Sequence, residues 1–244
     1  MQLTSRDLPV PGRALVVVAH PDDAEFQCGA TLARWSAAGC EVSHLVCTDG
    51  SKGTWDPSAD IAALVAVRQD EQRDAAAALG ATGQVVFLGR VDGELEADLA
   101  TRSEVARVIR ELRPDVVLGH DPWKRYRLHP DHRQAGWLAV DGVVAARDPH
   151  FFPEHGVPHH RPSSLLLFEA DEPDHAEDVT GFADHKIAAL EAHLSQFETT
   201  MYISADDPGP ERERFRRRIL DELTEAGAAA GVEHAERYKL IADL

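Results

Sequence analysis

The feature that most limits what this chain can fold into is an alternation. Short, largely apolar runs recur: the β-branched ALVVVA at Ala14–Ala19, then EVSHLVCT at Glu41–Thr48, VVFL at Val85–Leu88, DVVLG at Asp115–Gly119 and SLLLFE at Ser164–Glu169. Runs of this kind suit strands buried on both faces. Between them lie helical patterns over Glu25–Gly39, Asp60–Leu79, Glu96–Leu112 and His132–Arg147, closed by Gly39, Gly80 or Pro114. Two more helices are predicted over Lys186–Phe197 and Glu211–Ala229, and a last strand over Glu236–Ala242. Strands that alternate with helices imply βαβ units. The expected fold is therefore α/β and Rossmann-like, a mostly parallel sheet with helices on both faces. With 244 residues, 43% of them apolar, residues 1–244 are expected to form one domain around a sizeable core.

Open sheets of this type bind ligands outside the carboxyl ends of their strands. No G-x-G-x-x-G follows Ala14–Ala19, and no G-x-x-x-x-G-K-[ST] occurs anywhere, so dinucleotide and P-loop phosphate sites have no motif support. Charge narrows the partners further. Twenty-five basic against 42 acidic residues leave a net charge of −17, which repels nucleic-acid backbones and anionic membranes alike. No apolar run approaches the ~20 residues that span a bilayer, and Met1–Gly12 lacks a signal-peptide layout. Three cysteines without a C-x-x-C exclude a disulfide framework and a cysteine–zinc site. A cytoplasmic protein acting on a small molecule is expected; self-association into a homo-oligomer is left open.

Two elements at the expected rim carry chemistry. After Ala14–Ala19 comes His20-Pro21-Asp22-Asp23; after Asp115–Gly119 comes His129-Pro130-Asp131-His132. Pro21 holds His20 extended, and the turn into the next helix can bring His20 and Asp23 to one point. Imidazole and carboxylate together suit Zn²⁺. Asp22, between them, sits beside such a metal without having to ligate it, as a general base requires. One histidine of the second element completes a His₂Asp set with open positions, and the other is free to act on substrate. Asp131 can orient one of them. Each residue alone has a plainer use, since Asp22, Asp23 and Asp131 all stand where helix N-caps belong.

The stretch AHPDDAEFQCGATLARW, followed by TDGSKG, by R-x-x-E at Arg68 and Glu71, and by HPDHR-x-AG, resembles the PIG-L/LmbE-like zinc-dependent deacetylases. The resemblance runs from about Ala14 to Gly136, with a weaker echo in HKIAALEAHLSQ at His185–Gln196. It implies hydrolysis of the amide of an N-acetylglucosamine-type compound. It also implies that His20, Asp23 and His132 hold zinc, that Asp22 is the base, and that His129, with Asp131 as its partner, stabilises the oxyanion. Arg68 is implied as a substrate contact. Removal of a larger acyl group from a glucosamine-derived thiol conjugate, or sugar binding without turnover, are the alternatives.

Asp49 and Asp92, each before a glycine after a strand, are candidates for substrate hydroxyls, although D-G pairs commonly make turns. The histidine-rich stretch Asp148–Ser163 is expected to be a lid or a wall of the site. Cys28 is assigned to the core, and Arg212–Arg218 to a solvated helix face.

Overall fold

The computed structural model describes residues 3–207 and 209–244. Among the described residues, eight strands form one sheet in the order β1-β7-β8-β6-β5-β2-β3-β4. They are β1 (Ser5–Arg6), β2 (Arg13–Val18), β3 (Glu41–Thr48), β4 (Val85–Arg90), β5 (Val116–His120), β6 (Ser164–Phe168), β7 (His175–Asp178) and β8 (Ala235–Ala242). The α-helices among the described residues are α1 (Asp23–Ala37), α2 (Ile61–Ala78), α3 (Leu99–Leu112), α4 (Pro130–Arg147), α5 (Ala183–Glu191) and α6 (Pro210–Ala230). β8 runs antiparallel to β6 and β7, and every other pairing is parallel. This is the expected α/β architecture. Strands β1 and β7 were not foreseen, being too short to show a pattern.

Alternation along β2 explains the two cores that flank it. Val16 and Val18 pack with Leu32 and Trp35 of α1 and Leu79 beyond α2. Leu15 and Val17 point the other way, onto Ile109 of α3 and Leu138 of α4. Side chains of a strand alternate between faces, so a continuous apolar run must be covered on both. Cys28 lies in the first of these cores, as expected.

Strand order places the site. From β2 the chain moves outward through β3 and β4, then returns to β5 on β2's other flank. The order reverses at β2/β5, and a crevice opens there above the carboxyl ends. His20 follows β2, His120 ends β5, and α4 begins at Pro130 above them. The approach of α4 is very close. A Cβ on Gly136 would lie 2.7 Å from the His120 carbonyl oxygen and 2.9 Å from Pro122 N, so only glycine lets α4 seat against β5 here.

Two expectations are corrected. The stretch Asp148–Ser163 is not a lid. It follows the end of α4, about 27 Å along that helix from the site at 1.5 Å per residue. Its far end, Ser163, donates to Asp115 O just before β5, so the stretch lies at the amino-terminal ends of the strands, opposite the site. Buried Arg110 binds it down through the carbonyls of Asp148, Phe151 and Phe152. The predicted helix Lys186–Phe197 in fact ends at Glu191; a 3₁₀ turn (Leu194–Gln196) and a π turn (Phe197–Met201) follow.

Candidate metal centre and active site

The β2–α1 turn builds the first half of the site. His20 N donates to Asp23 Oδ2 (2.8 Å), which closes the loop and brings both side chains to one side. Asp22 adopts a left-handed conformation (φ 97°) and makes no capping bond to α1. The capping use open to Asp22 from sequence is therefore not the one it takes.

His20 is held by its far nitrogen. Nε2 lies 3.1 Å from Asp131 Oδ2 and 3.1 Å from Asp92 Oδ1. Two carboxylates favour a proton on Nε2, which leaves Nδ1 as the lone-pair nitrogen. That Nδ1 is 3.4 Å from Asp23 Oδ2 and 3.2 Å from His132 Nε2. His132 Nε2 is also 3.2 Å from Asp23 Oδ1. Donors around a tetrahedral ion at about 2.0–2.1 Å stand roughly 3.3 Å apart, so these three residues fit a bound cation. Three overlapping groups of donors, each within 4.8 Å, occur among the described residues: His20/His129/His132, Asp23/His120/His132 and His20/Asp92/Asp131; His20, Asp23 and His132 are drawn from these and do not form one such group by themselves, because Asp23 turns a different oxygen to each histidine.

Electrostatics favour a cation at this spot. Burial alone would lower the His20 pKa, but Asp131, Asp23 and Asp92 override it and hold it well above the usual value. Burial would raise the Asp23 pKa, yet His132 and His120 hold it well below the usual range. Asp92, desolvated but bonded to His20, is lowered to about 2. Burial pushes the Asp22 carboxyl up to about 6 against the opposing pull of Arg68. Partial burial beside His20 and His132 lowers the His129 pKa, so its ring is neutral near pH 7.

These groups face a cavity of about 490 Å³, a size common for small-molecule sites. His20, Asp22, Asp23, His129 and His132 line it together with Lys52, Arg68 and Asp92, and with Phe26, Gln196, Thr199 and Thr200. Among these lining residues only Phe26 is a large apolar one.

Several sequence assignments change in the structure. Asp131 meets His20, not His129, and accepts from the backbone of Gly93 and Leu95 (2.6 and 3.2 Å). Asp49 is a turn residue: its Oδ1 accepts from Ser51 N and Asp92 N, and it does not line the cavity. Asp92 lines the cavity, but both carboxylate oxygens are engaged, one on His20 and one on Lys52 N. Arg68 also lines it, with its guanidinium donated to Pro21 O, Gly50 O and Asp22 Oδ2. Residues the sequence reading passed over include His120, whose Nε2 is 3.3 Å from Asp23 and whose Nδ1 is 3.2 Å from Glu169. Its position at the carboxyl end of β5 was the available signal. Gln196 ended the stretch His185–Gln196 that weakly echoes the family but was read only as helix, and Thr199 and Thr200, beyond it, gave no signal.

The chain matches the PIG-L family, described as GlcNAc-PI de-N-acetylase, over residues 15–142. It is also 33% identical to the diacetylchitobiose deacetylase of Thermococcus kodakarensis, over 76% of this chain and 70% of that protein. The chain belongs to the PIG-L family. The matched span of this PIG-L protein holds every candidate donor named above, whereas Glu169 and the wall at Gln196–Thr200 lie outside it. A 1D-myo-inositol 2-acetamido-2-deoxy-alpha-D-glucopyranoside deacetylase of Streptomyces avermitilis is 37% identical over 63% of this chain and 60% of its own length. The structure of the N,N'-diacetylchitobiose deacetylase from Pyrococcus horikoshii, complexed with its inhibitor MPG, superposes with TM-score 0.83 at 30% identity, covering 95% of this chain and 84% of that one.

Proposed function

We propose that this PIG-L protein hydrolyses the acetamide of an N-acetylglucosamine-type compound, releasing acetate and a free amine, with zinc held by His20 Nδ1, Asp23 and His132 Nε2. Family membership and the deacetylase relatives support the reaction class. The observation that carries the mechanism is Asp22: a buried carboxylate beside the donor set, facing the cavity and unused as a helix cap. Bound among these donors, zinc supplies a Lewis acid that polarises the carbonyl and brings the pKa of water towards about 7.

The protein's own groups do the rest. Asp22 accepts a proton from the attacking water as the new C–O bond forms. Arg68 NH2, 3.3 Å from Asp22 Oδ2, holds that carboxylate in place. Neutral His129 donates an N–H to the carbonyl oxygen as charge collects there. Asp22 then returns its proton to the departing nitrogen as the C–N bond breaks. Asp131 and Asp92 keep His20 in the tautomer that leaves Nδ1 free. The hydroxyls of Thr199 and Thr200 and the ammonium of Lys52 give the walls a polarity suited to a sugar.

Acetate release from N-acetylglucosamine and N,N'-diacetylchitobiose is the direct test. Activity lost on chelation and restored by zinc supports the proposal. A zinc-loaded protein that releases acetate from neither compound, nor from larger N-acetylglucosamine conjugates, overturns it.

A further inference from the structure

Behind Asp22, away from the cavity, lies a group of side chains that no step above uses. Glu25, His44, Gln72 and His193 are each fully buried. Glu25 belongs to α1, His44 to β3 and Gln72 to α2, and His193 follows α5. Glu25 Oε2 is 3.4 Å from His193 Nε2, and Glu25 Oε1 is 3.7 Å from His44 Nε2. Neither is an aligned hydrogen bond, and both rings lack other partners among the described residues. Burying three ionisable groups this incompletely satisfied is costly. Apolar side chains of the same volume would serve the packing better.

The group contains one well-made hydrogen bond and sends out a second, and together they lead to Asp22. Gln72 Nε2 donates to Glu25 Oε1 (2.8 Å), and Gln72 Oε1 accepts from Asp22 N–H (3.0 Å). The order is forced. Glu25 presents only an acceptor to Gln72, so the amide nitrogen must face it and the amide oxygen must face Asp22. Asp22 is the residue whose backbone stands at φ 97°, a conformation that costs free energy and persists only where neighbours impose it. Arg68 holds its side chain; Gln72 holds its backbone.

We infer that Gln72 and Glu25 are positioning residues for Asp22. Glu25 fixes the orientation of the Gln72 amide, and Gln72 fixes the left-handed backbone that aims the Asp22 carboxylate into the cavity. His193, 3.4 Å from the far oxygen of Glu25, begins the segment whose Gln196, Thr199 and Thr200 wall the cavity. The inference rests on Asp22 being the base.

The test exchanges the two groups. Gln72→Met removes both bonds at similar volume; kcat for acetate release falls about 10- to 100-fold, as expected for a slightly misaimed base. KM and bound zinc per chain stay at the parent values, which a general loss of structure would not allow. Gln72→Glu sets two carboxylates against each other and loses a comparable factor. The double variant Glu25→Gln with Gln72→Glu restores the chain of bonds. Its introduced amide, on α1, donates to its introduced carboxylate, on α2, and that carboxylate accepts from Asp22 N–H. It recovers kcat to within about threefold of the parent, a gap small against the loss in the single variants. Parent-level kcat in both single variants overturns the inference, as does a folded, zinc-loaded double variant no better than Gln72→Glu. Asp22→Asn, assayed alongside, keeps the two readings apart. If it retains activity, the base assignment fails; if it is inactive while the Gln72 variants match the parent, only the positioning role fails.

Discussion

Arg127 NH1 lies 2.9 Å from Nδ1 of His132, while Nε2 of the same ring is 3.2 Å from both His20 Nδ1 and Asp23 Oδ1. A histidine that binds a cation through Nε2 carries its proton on Nδ1, where an acceptor is wanted. Arg127 offers a donor instead. Loading the metal therefore has to turn Arg127 away, towards its other partner Glu169. Arg127→Gln replaces the donor with a side chain able to accept from Nδ1–H. It should bind zinc about tenfold more tightly, at the lower end of effects seen for groups that orient metal ligands. Competition with a chromogenic chelator measures this; unchanged or weaker affinity would show that Arg127 does not oppose loading.

Removing a ligand and removing its support should differ in degree. His132→Ala deletes one of the three proposed zinc donors and should leave less than about a tenth of the zinc per chain found in the parent. Asp131→Asn keeps all three donors but weakens the hold on His20 Nε2. It should lower zinc affinity about 10- to 100-fold and leave full occupancy attainable at high zinc. Elemental analysis after dialysis against graded zinc separates the two. Equal loss in both variants would mean that Asp131 is itself a ligand.

Asp22 carries a stability cost that follows from its burial. In the metal-free protein its carboxyl titrates near 6 rather than 3.8. A raised acid binds more protons folded than unfolded, so the penalty is complete above about pH 6 and disappears below about pH 4. The shift corresponds to roughly 2–3 kcal/mol. Metal-free Asp22→Asn should therefore resist urea better than the parent at pH 7.5, by about that amount, and the two should converge near pH 4. Its acetate release should fall about 10²- to 10⁴-fold. A variant no more stable than its parent at pH 7.5 would mean that the buried carboxylate is compensated by Arg68.

What was legible in the sequence was what period and spacing encode. β2, β3 and β5 are apolar on both faces, so they read as buried strands. Both H-P-D elements fall at strand ends, where a reversed strand order opens a crevice. Residues that meet across the fold were not legible. Asp131 stands two positions from His129 in sequence yet bonds His20, because α4 crosses over the β2 rim. Glu25 looked like an ordinary helix residue until β3, α2 and the stretch after α5 buried it. The histidine-rich stretch 148–163 misled, because histidine content says nothing about which end of the strands a loop occupies; the length of α4 carries it to the far one.

That stretch supplies the last test. Arg110 is buried and donates to five carbonyl oxygens, those of Ala145, Ala146, Asp148, Phe151 and Phe152. Arg110→Leu removes all five donors at once. Each buried carbonyl left without a partner costs about 1–3 kcal/mol, and those nearest solvent regain water, so a net loss of about 3 kcal/mol is expected. For a chain of this length that lowers Tm by roughly 6–12 °C. The cavity lies at the other end of α4, so kcat and KM below the transition should match the parent. A changed KM at full folding would place the stretch back within reach of the substrate.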